Sequence, residues 1–580
     1  MARFTFTFAF VLVALATSSQ ALNIQSSQVK ANTERADAVK AAFVKSYNGY
    51  KKYCFGRDQL NPLTKTCDDP LGGWGATLVD VQSTAHVMGL NDIYDETVAQ
   101  SLKTDYSKTS SEEVSIFETT IRHVGGLLSS YELGGRREKK LVEQARVVGD
   151  KLMYGWINNN DIPYNTLKFW SGLPTPKTDE SAVIAETGTL IIEFDRLSKY
   201  TGNNTYRDFA IKAELATINT IPLPFPGLNP QRLNQTTGKP VGDYVTWGGG
   251  SDSFFEYLNK YALLIGTQEI YFPAWITSVK SSILHLITSA GGTKKKLTYL
   301  ADYSAKNGGT LPRGSHLECF VGGNWLLGGK LLDNDDIFNY GLDLAESCIH
   351  TYTASATGVG PEGFIYRLAN GSSQGIEIKN AEFYAENGFD YSSKPYVLRP
   401  EVMESVFYAY RLTGDSKWQD LAWKAFQALE KYCGTDTAFT SLDDVSNSTT
   451  AQIDLSESFL YAELFKYSYL IFTDGNVLDL GKYVFNTEAH PFEIDNLDVD
   501  FRGLNPGPIK APAAHVTADA EVPSATKLSD TSNGKKAKTT GYGKLVPAPL
   551  FTGVNKKKLA GVTRDQKPFQ AAPKARLAST

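Results

Sequence analysis

The sequence predicts an all-α fold in which helical hairpins repeat around a ring or along a solenoid. Three observations carry this. Apolar residues recur at three- and four-residue spacing through most of the chain between Gln28 and Phe501. Sustained strand alternation is rare there, so short candidates such as Gly363–Tyr366 read as hairpins in loops. A helix-end pattern also returns: RLSKYTGNNTYRDFA and YRLTGDSKWQDLA both pass through Thr-Gly-Asn/Asp to an aromatic that restarts a helix, and MGLNDIYDE and LLDNDDIFNY echo it. Gly would end one helix, Asn or Asp would cap the next, and the aromatic would staple the pair. Repeated hairpins of irregular length over about 470 residues mark an α/α toroid or solenoid, whose long end loops are the natural place for a site.

At the start of the chain, Arg3 precedes an apolar stretch that ends in small residues, with Ser19-Gln20-Ala21 as a cleavage site, so residues 1–21 read as a signal peptide. Helical periodicity then occupies ADAVKAAFVKSYNGYKKY, EVSIFETTIRHVGGLLSSYEL, ETGTLIIEFDRLSKYTG, SFFEYLNKYALLIG, EVMESVFYAYRLTGD, WQDLAWKAFQALEKY and SESFLYAELFKYSYLIF. A helical domain is therefore expected over 28–501. Residues 505–580 turn rich in Pro, Ala, Lys, Thr and Gly and carry Lys535-Lys536 and Lys556-Lys557-Lys558. Such a stretch buries too little apolar surface to offset its ordering entropy, so a disordered basic tail is expected.

Composition excludes several classes. With 42% apolar, 21% charged and 12% aromatic residues the chain is globular, and its net charge of −5 leaves no whole-chain field for nucleic acid. No run of 18 or more apolar residues occurs, so no transmembrane helix is expected. Five cysteines, Cys54, Cys67, Cys319, Cys348 and Cys433, include no CxxC, which argues against zinc or thioredoxin-like chemistry. Their odd number leaves at least one free or paired elsewhere. Sequons at Asn203, Asn234, Asn370 and Asn447 fit a chain that is secreted or resides in the secretory lumen or vacuole.

What remains is a set of carboxylates in apolar helical stretches, where burial is costly unless the charge is used or paired. Glu118 lies in IFETTIR. Asp252 and Glu256 stand one turn apart after Gly248-Gly249-Gly250. Glu401 and Glu404 flank a turn beside Arg399, with Pro400 suited to the first turn. Glu457 and Glu463 occupy SESFLYAELFKY. Glu186 and Glu193, seven apart, are expected on one helix face. A shared acidic pocket of this kind could hold Ca²⁺, which prefers oxygen ligands, or perform carboxylate acid/base work. Paired carboxylates with abundant Trp and Tyr are what glycoside hydrolysis uses. HExxH, Walker A and GxGxxG-after-strand patterns are missing from the sequence.

Among these stretches, FETTIRHVGGLLSSYEL, GGGSDSFFEYL, HLECFVGG, YVLRPEVMESVFYAYRLTGD and FNTEAHPF resemble the class I α-1,2-mannosidases, glycoside hydrolase family 47, in the family's order from about Tyr47 to Pro491. The resemblance implies an (α/α)₇ barrel that trims α-1,2-linked mannose from high-mannose N-glycans with inversion, using one Ca²⁺. Glu118 matches the general acid, Glu401 the water-activating base and Asp252 the third essential acid. Inversion implies that the two working carboxyls stand about 6.5–9.5 Å apart. Thr487 matches the direct calcium ligand, through backbone and hydroxyl oxygens. Glu401, Glu404, Glu463 and Glu488 match the acids that hold calcium-bound water. Arg122, Glu186, Glu256, His316, Arg399 and Phe459 match substrate-pocket positions. Cys319 and Cys348 match the family's disulfide; Cys54 and Cys67 could form a second, leaving Cys433 free. A monomer is expected.

The chain also departs from the family pattern. Where VDALDT is usual, Val79-Asp80-Val81-Gln82-Ser83-Thr84 stands, so Ser83 replaces an acid, and Leu464 stands where Thr is common. Members that remove a single mannose carry Arg at the position of Gly250; its absence implies an open cleft and trimming of several mannoses, from nine towards five. The rival reading is a mannose-binding quality-control factor without hydrolysis on the same fold, against which stand all the matched acids.

Overall fold

The computed structural model describes residues 24–512 apart from 159, 170–173 and 179–180. The expected signal peptide and the tail from 513 onward lie outside the described residues. Contacts divide the chain into Met1–Ala520 and Glu521–Thr580, the second wholly outside the described part.

Helices come as pairs, an outer one followed by an inner one: α1 (Thr33–Cys54) and α2 (Ala76–Val87), α3 (Asn91–Ser101) and α4 (Gly125–Leu133), α5 (Lys139–Leu152) and α6 (Ile191–Thr201), α7 (Thr205–Ile218) and α8 (Asp252–Ile265). The series continues with α9 (Tyr271–His285) and α10 (Val321–Leu332), α11 (Asp335–Ala354) and α12 (Glu401–Thr413), α13 (Lys417–Tyr432) and α14 (Phe465–Ile471). Sequence explains the two kinds. In α5 the buried residues Leu141, Ala145, Val148 and Leu152 form one stripe, so it faces solvent on the other side. Every residue of α8 from Ser253 to Leu264, and of α12 from Val402 to Leu412, is buried. Each inner helix packs on the next, from α2 through α4, α6, α8, α10 and α12 to α14, and the turn before α14 returns to α2. Seven pairs thus close an (α/α)₇ barrel.

The repeated helix-end signature works as chemistry suggests. Gly202 ends α6 at φ +73° and Gly414 ends α12 at φ +71°, a conformation that costs glycine nothing. Asn203 Oδ1 then accepts from Thr205 N (3.1 Å) and Asp415 Oδ1 from Lys417 N (2.9 Å), while Tyr206 and Trp418 are buried.

Strands are short antiparallel pairs at the helix ends. Gly363–Ile365 is not a local hairpin: it lies between Arg313–Ser315 and Asp390–Ser393 in a three-stranded sheet. A second hairpin, Tyr483–Phe485 with Pro491–Glu493, enters the barrel's interior. Phe485 packs on Phe407 of α12 and Tyr467 of α14, and Ser129 of α4 donates to Pro491 O. Gly125 and Gly126 make room for it: a Cβ there would lie 2.7 Å from Asn486 Nδ2 and 3.0 Å from His490 Nε2.

Disulfides join Cys54 to Cys67 and Cys319 to Cys348, the latter tying the start of α10 to α11, and Cys433 is buried and free. Residues 505–511, placed by composition in the tail, are held on the barrel. Asn505 Nδ2 donates to Leu332 O and Asp333 O, Ile509 is buried with its N donating to Asp336, and Ala511 N donates to Tyr340. Within the described residues no helix is long and apolar enough to cross a membrane.

Candidate active site

Short strands lead into the inner helices, and the residues singled out by sequence stand at these junctions. Glu118 follows Glu113–Ser115, Glu186 follows Ala182–Val183, His316 follows Arg313–Ser315, and Arg399 and Glu401 follow Asp390–Ser393. Phe459 follows Gln452–Ile453, Asp252 and Glu401 each open an inner helix, and Thr487 is at the tip of the inserted hairpin. Two junctions are π-helical, Thr119–Val124 and Leu460–Leu464, where sequence spacing reads as continuous α-helix. A π turn inserts one residue and re-aims the side chains after it, as functional sites often require. Here these turns carry Arg122 and Glu463.

Arg122 is the hub. Its guanidinium donates through Nε to Glu118 Oε2 (2.9 Å) and through one terminal nitrogen to Ser458 Oγ (2.9 Å) and Glu488 Oε1 (2.6 Å). It also lies 3.6 Å from Asp80 and 5.6 Å from the Phe459 ring centroid. Burial opposes its charge, but Glu488, Glu118 and Asp80 hold its pKa well above the ordinary value. Glu118 keeps 35% of its side chain exposed, whereas Glu488 keeps 2%.

Glu401 is held differently. His316 Nδ1 lies 2.7 Å from Glu401 Oε2, and Nε2 lies 2.8 Å from the Tyr352 hydroxyl. Burial works to raise the Glu401 pKa, yet His316 and Arg399 bring it below the ordinary carboxylate value. Arg399 itself is anchored by Glu362 at 2.7 Å. Asp252, at the first turn of α8, accepts from Ser253 N (2.8 Å). Burial first, then the charges of Glu256 and Glu401, push it up to about 7.

Deeper lie Glu256 and Glu404, both paired with the buried Lys260, and Glu463 beside Glu488. Burial and mutual repulsion raise the pKa values of Glu404, Glu463 and Glu488. The Asn486–His490 turn is fixed from several sides. Asn486 Oδ1 accepts from Glu488 N and His490 N, and Asn486 Nδ2 donates to Ile121 O and Glu193 Oε1. Ser83 Oγ, where the family pattern has an acid, accepts from Lys466 Nζ (2.9 Å) and lies 3.1 Å from His490 Nδ1; Lys466 also donates to Ala489 O.

Glu186 and Glu193 do not share one helix face. A short helix ends at Gly188, Thr189 and Leu190 leave helical geometry, and α6 begins at Ile191. Glu193 supports the Thr487 turn through Asn486 and Tyr257, while Glu186 sits on the short helix that packs on α8.

The same constellation has counterparts among known proteins. The profile of glycosyl hydrolase family 47 matches residues 42–494. The chain belongs to that family. It is similar to the mannosyl-oligosaccharide α-1,2-mannosidase of Coccidioides posadasii, 41% identical over 496 residues, covering 81% of this chain and 93% of that one. A probable mannosyl-oligosaccharide α-1,2-mannosidase 1B of Aspergillus niger is 40% identical, covering 80% and 92%. The structure of the α-1,2-mannosidase from Trichoderma reesei matches with a TM-score of 0.76 at 36% identity, covering 80% of this chain and all of that one.

The pocket of this family 47 chain fits a hard cation by its charge. Glu256, Glu401, Glu404, Glu463 and Glu488 are gathered around Lys260 and Arg122, so acidic groups outnumber the cations there. Thr487 donates its amide to Tyr257, leaving its hydroxyl and carbonyl oxygens without hydrogen bonds among the described residues. Three or more His, Cys, Asp or Glu side chains do not converge into a direct metal cluster among those residues. Lys260, Glu362, Ser458 and Lys466 also belong to the site, and so does Asp80, which the sequence shows only as the retained acid of its stretch. The signal for Lys260 and Lys466 is a cation within a buried helix, and for Ser458 its place beside Phe459; Glu362, in a loop, leaves none.

Proposed function

We propose that this chain is a calcium-dependent, inverting exo-α-1,2-mannosidase of high-mannose N-glycans, acting in the secretory pathway or outside the cell. The observation that carries it is a set of two carboxyls, each at a strand-to-helix junction, that are held in different ways. Glu118 is oriented by Arg122 at the exposed rim, and Glu401 is kept ionised by His316 and Arg399. Glu118 protonates the leaving glycosidic oxygen, while Glu401 takes a proton from the attacking water. Asp252, poised near neutrality, can hold a proton at the α8 terminus. Arg122 keeps Glu118 and Glu488 in register, and Tyr352 fixes the His316 ring. Calcium, bound by Thr487 with Glu401, Glu404, Glu463 and Glu488 holding its water, would supply Lewis-acid positioning of the sugar's 2′- and 3′-hydroxyls.

Gly250 supports trimming of several mannoses. It adopts φ +88°, and a Cβ there would lie 2.8 Å from Gln231 Nε2, so no side chain projects at that point of the cleft. The test is a time course on a nine-mannose N-glycan with and without EDTA, read by product mass. Calcium-dependent release stopping near five mannoses is expected. A stop after one refutes the open cleft, and tight binding without release refutes hydrolysis.

A further inference from the structure

The assigned site leaves one carboxylate unused. Glu457 lies between the segment that carries Asp454 and the π turn that begins after Phe459. Arg122 and Arg399, the pocket's two arginines, both attract it, and Glu118 repels it. One of its oxygens is anchored from outside the pocket: Gln59 Nε2 donates to Glu457 Oε2 at 2.6 Å. Gln59 is itself 4% exposed. The other oxygen, Oε1, receives no hydrogen bond among the described residues, and the next residue, Ser458, places the segment at the pocket by accepting from Arg122 at 2.9 Å.

The anchor is firm. Gln59 opens the Gln59–Asn61/Thr66–Asp68 hairpin, which the Cys54–Cys67 disulfide staples to the end of α1. That hairpin is docked on the Glu457 segment by the Leu60–Ser456 bridge. Three donors also reach Asp454: Leu63 N (2.7 Å), Thr64 N (3.0 Å) and Thr64 Oγ1 (2.6 Å). From below, Asp58 receives Leu71 N, Gly73 N, Gly75 N and Ala76 N. A surface hairpin with so many ties to one segment fixes the rotamer of the side chain that segment presents to the pocket.

Depth assigns the sugar that Glu457 would meet. The floor acids Glu404, Glu463 and Glu488 are 2–7% exposed, while Glu118, the acid that must reach the glycosidic oxygen, stands at the rim with 35% of its side chain exposed. A carboxylate within the field of Glu118, and tied to a surface hairpin, faces the leaving side of the bond rather than the floor. We propose that Glu457, pre-oriented by Gln59, is a substrate-binding residue whose free oxygen accepts hydrogen bonds from hydroxyls of the leaving sugar. This rests on the α-1,2-mannosidase reading above. It gives the N-terminal hairpin a role in specificity and not only in stability.

The experiment uses the full chain carrying Glu118→Gln, which slows turnover enough for binding to be read, with and without Glu457→Gln. Calorimetry measures binding of mannose and of the α-1,2-linked mannose disaccharide. Loss of one charge-assisted hydrogen bond should weaken the disaccharide about tenfold. Mannose alone should change less than twofold. Gln59→Ala, which leaves Glu457 in place but unanchored, should weaken the disaccharide selectively and by less. Equal weakening of both sugars would make Glu457 a prop of the whole pocket and overturn the proposal, as would an unchanged disaccharide affinity. Failure of the parent reading looks different: the chain without any substitution would release no mannose, whether or not it binds the two sugars.

Discussion

Glu118 and Glu214 show opposite uses of a carboxyl in this barrel. Glu118 has a defined partner in Arg122 and a path to solvent, so replacing it tests chemistry and not folding. Glu118→Gln should lower kcat by about 10²- to 10⁴-fold, the usual contribution of a general acid, while retaining sugar binding. Thr487→Ala should weaken calcium binding on the order of tenfold or more in a calorimetric titration, with the fold intact by circular dichroism. Glu214, on α7, is buried with neither oxygen hydrogen-bonded among the described residues, and burial raises its pKa well above the ordinary value. A raised carboxyl stabilises the fold most below its unfolded pKa and loses that contribution as pH climbs toward the folded value. Glu214→Gln should therefore melt close to the parent near pH 4. A Tm advantage should then appear and widen up to pH 8, and a gap that stays constant with pH would refute it.

The inserted hairpin is the element on which the site depends. It touches α4 through Ser129, α6 through Glu193, α8 through Tyr257, α12 through Phe407 and α14 through Lys466. Its entry relies on two glycines of α4. Gly126→Ala would place a methyl 2.4 Å from Val79 Cγ1 and 3.0 Å from His490 Nε2. Overpacking of this kind should cost about 1–3 kcal/mol. Chemical denaturation checks the cost, and calcium affinity should fall with it because the Thr487 turn is displaced. Sequence reading located these helices because their periodicity and terminal glycines are local properties. It missed the two π turns, since a single inserted residue hardly alters an apolar pattern that is buried on every side. It missed the break after Gly188 for another reason. A Cβ at Gly188 would lie 2.4 Å from Phe254, so a contact with α8 draws the chain in there, and periodicity carries no trace of it. The pairing of Lys260 with Glu404, 144 residues away, is equally invisible from spacing.

At the scale of the molecule, the barrel's outer boundary is set by contacts rather than by composition. The segment after Phe501 looks like tail, yet Ile509 is buried and Asn505 binds the turn between α10 and α11. Compared with a chain ending at Pro512, one ending at Leu504 should lose about 1.5–3 kcal/mol from Ile509 alone. Scanning calorimetry of the two truncations decides this. The family motifs were legible because each sits in a few consecutive residues at a strand-to-helix junction. Their supporting partners are scattered around the ring, from Asp80 on α2 and Glu193 on α6 to Tyr352 on α11 and Lys466 on α14.

Ring closure also sets an order of events during synthesis. Glu118 and its partner Arg122 are translated early, but Arg122 meets Glu488 only after 366 further residues have been added. Until then the inner helices have neither a closed neighbour nor a hairpin to fill the bore, and their buried carboxylates lack the turn that organises them. The ribosome must therefore release almost the entire barrel before any glycan can be cut. A nascent chain is in this way kept inactive until its last helices are made, and contacts this distant in sequence make slow, concerted folding the expected regime.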